Sequence, residues 1–299
     1  MKRLFISTGF YSTLIASVVA EMSEEIYEDH LLITMDRQSS NSNVLWAHRL
    51  HSWKTVETID HTDYYIERIN YRHSIDWFDE VYSPFPEMIL VITEAFPSKK
   101  YSFYEEGLTS YLQFLEGSYD ENFKFYCLHP HVFNDLDSLI SLPISIPKTR
   151  EKLRSLDRCY RVPLIENNNN IIVIGQGGFP DENKNSLIRG EYVKFIKEQS
   201  RLGFNIILLG HTRLPAEKKL IDELENSVET NFTYIEHAAP ISDLFILKNI
   251  QKIRVIAGVY STLLVNSETV CGIPAVVFDS GYLSERQVKL RAVQSLLMS

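Results

Sequence analysis

Short apolar runs recur along the chain, each ended by glycine or a polar residue, with longer amphipathic stretches between them. A short run bounded in this way is a strand buried on both faces, the kind a parallel sheet uses. The clearest case is RLGFNIILLGHTR at Arg201–Arg213. Its strand, Asn205–Leu209, stops at Gly210 and presents His211 and Arg213 at the carboxyl end. Ligands of open α/β sheets sit just beyond such ends. Earlier in the chain, Leu4–Ser7, His30–Met35, Lys54–Ile59, Asp79–Ser83, Lys100–Tyr104 and Phe123–Leu128 read as strands. Helices are expected at Tyr11–Met22, Leu45–Trp53 and Pro86–Phe96, the last opened by proline and closed before Pro97. Asp63–His73 is amphipathic, and Ser39–Asn43 reads as a polar loop.

A break follows. Pro143, Pro147 and Pro163 flank a charged helix at Thr149–Cys159, and Asn167–Asn170 is a polar run. After it the alternation restarts. Strands Ile171–Ile174, Asn205–Leu209, Thr233–Glu236, Arg254–Ala257 and Ala275–Phe278 interleave with helices Ser186–Leu202, Ala216–Ser227, Ile241–Asn249, Ser261–Cys271 and Leu283–Leu297. Two β-α-β series imply an α/β protein of two Rossmann-like domains facing a cleft. We expect an N-terminal domain over 1–145, a linker over 146–170, a C-terminal domain over 171–282 and a terminal helix over 283–299.

Charge narrows the function. A formal net charge of −9 over 299 residues argues against a general nucleic-acid binder, which needs a basic surface. Cys127, Cys159 and Cys271 are too scattered for a disulfide framework or a CxxC metal pair, so reduced thiols and a cytoplasmic setting are expected. No apolar run reaches the ~20 residues of a membrane span. Lys2-Arg3 followed by Leu4–Ala20 mimics a signal peptide. Thr8, Tyr11, Ser12 and Ser17 interrupt that run, however, and Thr8-Gly9 reads as a strand-to-helix turn. A first β-α unit is therefore expected there.

Several groups have the composition of a site. Glu105-Glu106-Gly107 ends a strand, and Gly107 permits a sharp turn beside two carboxylates suited to general-base work. A solvated acidic loop has the same composition. His211 and Arg213 suit a phosphate, or equally a cap and a surface charge. Gly258-Val259-Tyr260-Ser261-Thr262 joins a strand to a helix, whose start offers N–H groups and hydroxyls to an anion. Ser and Thr are also favoured there as ordinary N-caps. Gly175–Gly178 lets backbone approach a ligand, but Pro180 stands where a dinucleotide fingerprint needs glycine. His129-Pro130-His131 reads as a structural turn rather than a metal site, since no further ligands accompany it. Ser284–Ser299 carries Arg286, Lys289 and Arg291 beside an apolar stripe. It reads as a helix packed on the protein, with the composition to touch anionic lipid as well.

The order of these motifs resembles that of the bacterial sialyltransferases and polysialyltransferases of lipooligosaccharide and capsule biosynthesis, glycosyltransferase family 52 among them. Tyr104-Glu105-Glu106-Gly107 matches that family's acidic-acidic-glycine motif. Gly210-His211-Thr212-Arg213 resembles its His-Pro motif, with Thr212 in place of proline. Tyr260-Ser261-Thr262-Leu263-Leu264 resembles its Ser/Thr motif, and Ser7-Thr8-Gly9-Phe10-Tyr11 its N-terminal turn. Pro240-Ile241-Ser242-Asp243 stands where the family has proline-x-glutamate for the ribose. The resemblance implies a GT-B fold and an inverting transfer from a CMP-activated nonulosonic acid to a glycan hydroxyl, on an acceptor that is an oligosaccharide or lipid-linked. By it, Glu105 is the general base and His211 stabilises the departing phosphate. Ser261, Thr262, Arg213, Glu106, Gly107, Thr8, Gly9, Tyr11, Gly175 and Asp243 line the substrates. It implies no metal, no bound cofactor, and a cytoplasmic enzyme that touches the inner membrane face peripherally.

Overall fold

The computed structural model describes the chain except at residues 24, 36, 61–77, 118–122, 159, 177–178, 211–215, 228–231 and 237, and describes only the backbone at 35, 37–41 and 60. His211, Arg213 and the amphipathic stretch Asp63–His73 therefore lie outside the described residues. Two compact units follow one another, Met1–Leu156 and Asp157–Ser299. Of the stretch read as a linker, Ile146–Leu156 is a helix of the first unit and residues 157–169 belong to the second.

The first unit holds β1 (Lys2–Ser7), β2 (Glu28–Met35), β3 (Thr55–Asp60), β4 (Glu80–Ser83), β5 (Tyr101–Tyr104), β6 (Phe123–Cys127) and β7 (Leu139–Pro143). They form one parallel sheet in the order β3-β2-β1-β4-β5-β6-β7. Residues 4–20, the signal-like run, form β1 and the helix Phe10–Ala20. That helix is buried from Ser12 to Ala20, because the helices Arg37–Leu50 and Ile146–Leu156 pack on it. Its hydroxyls are satisfied internally: Ser7 Oγ lies 2.8 Å from Ser12 Oγ and 2.7 Å from Thr13 Oγ1, and Ser17 donates to Leu14 O. At the amino end of β1, Arg3 is buried and donates to both oxygens of buried Asp29, at 2.7 and 2.9 Å. Asp29 also pairs with His51 at 2.8 Å.

Three segments depart from the pattern reading. Ser39–Asn43, expected as a loop, lies inside the helix Arg37–Leu50. Asn43, Trp46, Ala47 and Leu50 are buried at helical spacing, and that stripe carries the polar turns before it. Leu108–Glu116 is a helix that buries Leu108, Tyr111, Leu112 and Phe114. Leu139–Pro143, read only as punctuation, is the edge strand β7, a position that tolerates its terminal proline.

The second unit holds β8 (Asn170–Ile174), β9 (Asn205–Leu209), β10 (Phe232–Ile235), β11 (Ile253–Gly258) and β12 (Ala275–Val277). These form a parallel sheet in the order β10-β9-β8-β11-β12. Every residue of β8 is buried: Asn170, whose side chain donates to Asn167 O and Lys252 O, and the apolar run Ile171–Ile174. The helix Thr262–Asn266 widens into a π turn over Ser267–Cys271 and ends at Gly272, whose φ of 70° is left-handed. In each sheet the winding reverses beside the first strand: between β1 and β4, and between β8 and β11. α/β proteins bind ligands at such switch points, beyond the carboxyl ends of the strands.

Candidate active site

In the first unit three strand ends converge beside the switch point. The β1–helix turn supplies Thr8, Gly9 and Tyr11, the turn after β5 supplies Glu105, Glu106 and Gly107, and the end of β6 supplies Leu128 and His129. Glu105 continues the sheet, its N–H donating to Tyr126 O at 3.0 Å. Its side chain is only 2% exposed. Tyr11 Oη donates to Glu105 Oε1 at 2.7 Å, and Leu128 N–H donates to Oε2 at 2.8 Å. The Tyr111 hydroxyl also donates to Oε2. A buried carboxylate must find such donors or forfeit its hydration without return.

Tyr111 is itself fixed. Its ring stacks on Phe133 at 5.6 Å and meets the edge of Phe125 at 5.7 Å. Burial, and then the Glu105 charge, push its phenol well above the usual range, so it stays a donor. The same oxygen accepts His129 N–H at 3.1 Å. The His129 ring is buried, and that burial, with His131 beside it, lowers its pKa to about 4. It is neutral at pH 7. His129-Pro130 opens a short 3-10 turn, Pro130–Phe133, as the sequence suggested, but that turn abuts the carboxylate cluster.

Glu106 faces another way. It is half-buried, and Thr8 Oγ1 donates to its Oε2. Its N–H donates to Ser110 Oγ at 3.0 Å, and that hydroxyl in turn donates to Pro84 O at 3.1 Å. Gly107 has a φ of 126°, which favours glycine, and it is the residue before the helix Leu108–Glu116. Gly9 is extended, with φ 176°, and precedes the helix Phe10–Ala20.

In the second unit the turn after β11 lies at the other switch point. Ser261 is an N-cap: its Oγ accepts Leu263 N–H at 3.1 Å, which leaves the hydroxyl proton to donate. Ser261 N–H donates to Gln294 Oε1 at 2.7 Å, so that amide is already occupied. Gln287 Nε2 donates to Tyr260 Oη at 2.8 Å. Both glutamines come from the helix Glu285–Leu297. Thr262, half-buried, starts the short helix. Gly175 follows β8, and a Cβ there would stand 2.9 Å from Ala216 Cβ and 3.2 Å from Leu209 O. The chain's own packing therefore requires that glycine. Asp243 is buried and accepts from Asn266 Nδ2 at 2.8 Å. Burial raises its pKa against the pull of that hydrogen bond.

The structure thus brings Glu105, Glu106, Gly107, Thr8 and Tyr11 together, and sets Gly175, Ser261 and Thr262 about the second switch point. It turns Asp243 toward Asn266. The sequence reading missed Tyr111, the Leu128 amide, Gln287 and Gln294. Only Tyr111 carried a signal, as an aromatic shortly after the acidic pair.

No protein-family model and no curated protein matches the sequence. Among solved structures, the chain is similar to the UDP-GlcNAc 2-epimerase from Neisseria meningitidis, solved bound to UDP-GlcNAc. The TM-score is 0.60 at 13% identity, covering 100% of this chain and 90% of that one. It is also similar to Acinetobacter baumannii MurG, with a TM-score of 0.51 at 12% identity and coverages of 100% and 83%. At such identities the likeness is one of fold: an α/β protein of two parallel sheets, matching GT-B structures.

Proposed function

We propose that the chain is an inverting glycosyltransferase that moves sialic acid, or a related nonulosonic acid, from a CMP-activated donor to a terminal sugar hydroxyl of a bacterial surface glycan. The observation that carries this reading is the carboxylate pair at the end of β5, gathered with Thr8 and Tyr11 beside the first switch point. The order of the sequence motifs supports the donor.

In this reading one carboxylate of the pair takes a proton from the acceptor hydroxyl as its oxygen attacks the anomeric carbon. The bond to CMP loosens through an oxocarbenium-like transition state, as in glycoside hydrolysis. Charge grows on the phosphate, where His211 and Arg213 meet it and the Ser261 and Thr262 hydroxyls donate. Phosphate is a good leaving group, so the step calls on no metal. A lipid-linked acceptor would bring the protein to the inner membrane face. Supporting a peripheral contact, Arg286, Val288, Lys289 and Leu296 are exposed on the helix Glu285–Leu297. Among the described residues no helix is long and apolar enough to cross a membrane.

The test is a donor screen with CMP-sialic acid, CMP-Kdo and UDP-GlcNAc, each with and without a galactose-terminated acceptor, read by mass spectrometry. Transfer from CMP-sialic acid, dependent on acceptor, is expected. The likeness to a UDP-GlcNAc-bound epimerase favours a second reading with a UDP-sugar, which acceptor-independent conversion of UDP-GlcNAc would establish. Conversion of no donor sinks both.

A further inference from the structure

We propose that Glu106, rather than Glu105, is the carboxylate that takes the acceptor's proton, and that Glu105 is a positioning residue. This rests on the glycosyl-transfer reading above and assigns the work within it.

The two side chains leave the same short stretch in different surroundings. Adjacent residues of extended backbone point to opposite sides. Glu105 turns inward, 2% exposed, and accepts from Tyr11, Tyr111 and the Leu128 amide. A carboxylate has about four lone-pair sites, so three are committed. Those donors come from the helix Phe10–Ala20, the helix Leu108–Glu116 and the end of β6. A proton placed on Glu105 would remove the charge that strengthens all three hydrogen bonds. This arrangement suits an anion that stays an anion and ties three elements together.

Glu106 is half-buried and reaches the β1 turn, where the Thr8 hydroxyl donates to it. The direction of that hydrogen bond is the direction a substrate hydroxyl needs. Its backbone is held independently, by Ser110 Oγ on its N–H and by the positive φ of Gly107. A base must be reachable and yet fixed. Glu106 meets both conditions, whereas Glu105 meets only the second. In the step, the acceptor O–H breaks and its proton goes to a Glu106 carboxylate oxygen. The freed pair on the acceptor oxygen forms the bond to the anomeric carbon. The carbon–oxygen bond to the nucleotide breaks, and its electrons leave on the phosphate. Water takes the proton from Glu106 after the product departs.

Chemical rescue separates the two roles. With CMP-sialic acid and lactose, Glu106→Gln should lose ~10²-fold or more in kcat, with the Tm and CMP affinity of the wild type. Glu106→Ala should regain turnover on addition of formate, which supplies a carboxylate without its tether. Glu105→Gln should lower the Tm, and formate should not rescue Glu105→Ala. Rescue of Glu105→Ala alone, or wild-type turnover by Glu106→Gln, overturns the assignment. If the wild type converts no donor, it is the transfer reading that fails. The division of labour is then read from side-chain carboxyl NMR of the wild type titrated with lactose. A shift at Glu106 and none at Glu105 supports it, while a shift at Glu105 alone, or at neither, overturns it.

Discussion

The strand-end clusters of the two units are fixed by different materials. In the first, side chains do the holding: Tyr11, Tyr111 and Thr8 donate to the Glu105–Glu106 pair, with the single Leu128 amide among them. In the second, neutral side chains hold backbone amides: Ser261 Oγ accepts Leu263 N–H, and Gln294 Oε1 accepts the N–H of Ser261. A buried charge holds several partners at once, so the first cluster should be stiff and costly to break. A neutral turn depends on single hydrogen bonds, so the second should yield for less.

The largest effect should follow Glu105→Ala. It leaves two buried donors, the Tyr111 hydroxyl and the Leu128 amide, and the half-buried Tyr11 hydroxyl without their acceptor, and a loss of about 3–5 kcal/mol in urea unfolding is expected. A loss below about 1 kcal/mol would erase the contrast between the units. Next comes the pH dependence set by His129. Its folded-state pKa of about 4 lies below the ordinary 6.5, so the unfolded chain takes the proton first as pH falls. Stability should therefore drop between pH 6.5 and 4, by about 3 kcal/mol in all, and be regained as pH rises. His129→Gln should flatten that interval in urea titrations at several pH values. In the second unit, Gln294→Leu strands the Ser261 amide and should cost about 1–3 kcal/mol. Faster hydrogen exchange at Ser261 would sharpen the assignment. Smallest is Ser261→Ala, expected to cost ~1 kcal/mol as a lost cap.

Much of the fold was legible because parallel strands announce themselves as bare apolar runs, as Asn205–Leu209 does. The cap at Ser261 was legible for the same local reason, serine being favoured at a helix start. The helix Leu108–Glu116 was not, since its apolar positions sit between two strong strand signals and merge with them. Nor was the polar beginning of the helix Arg37–Leu50, which tertiary packing by Trp46 and Leu50 sustains against weak local propensity. Of the site, the acidic pair and the Ser-Thr turn could be read, because their chemistry is local. Which carboxylate is buried could not. That depends on Tyr111 and on a backbone N–H at Leu128, and a backbone donor has no sequence signature. The glycine at 175 was read for ligand access, when the constraint comes from Ala216 packing against it.

The hydrogen bond between Ser261 and Gln294 spans 33 residues of chain. During synthesis the turn leaves the ribosome well before the helix that ties it. Until that helix docks, the Ser261 amide has only water to serve. The turn after β11 is therefore finished late, after its sheet is complete, and a nascent chain would acquire its geometry only as the helix Glu285–Leu297 folds back.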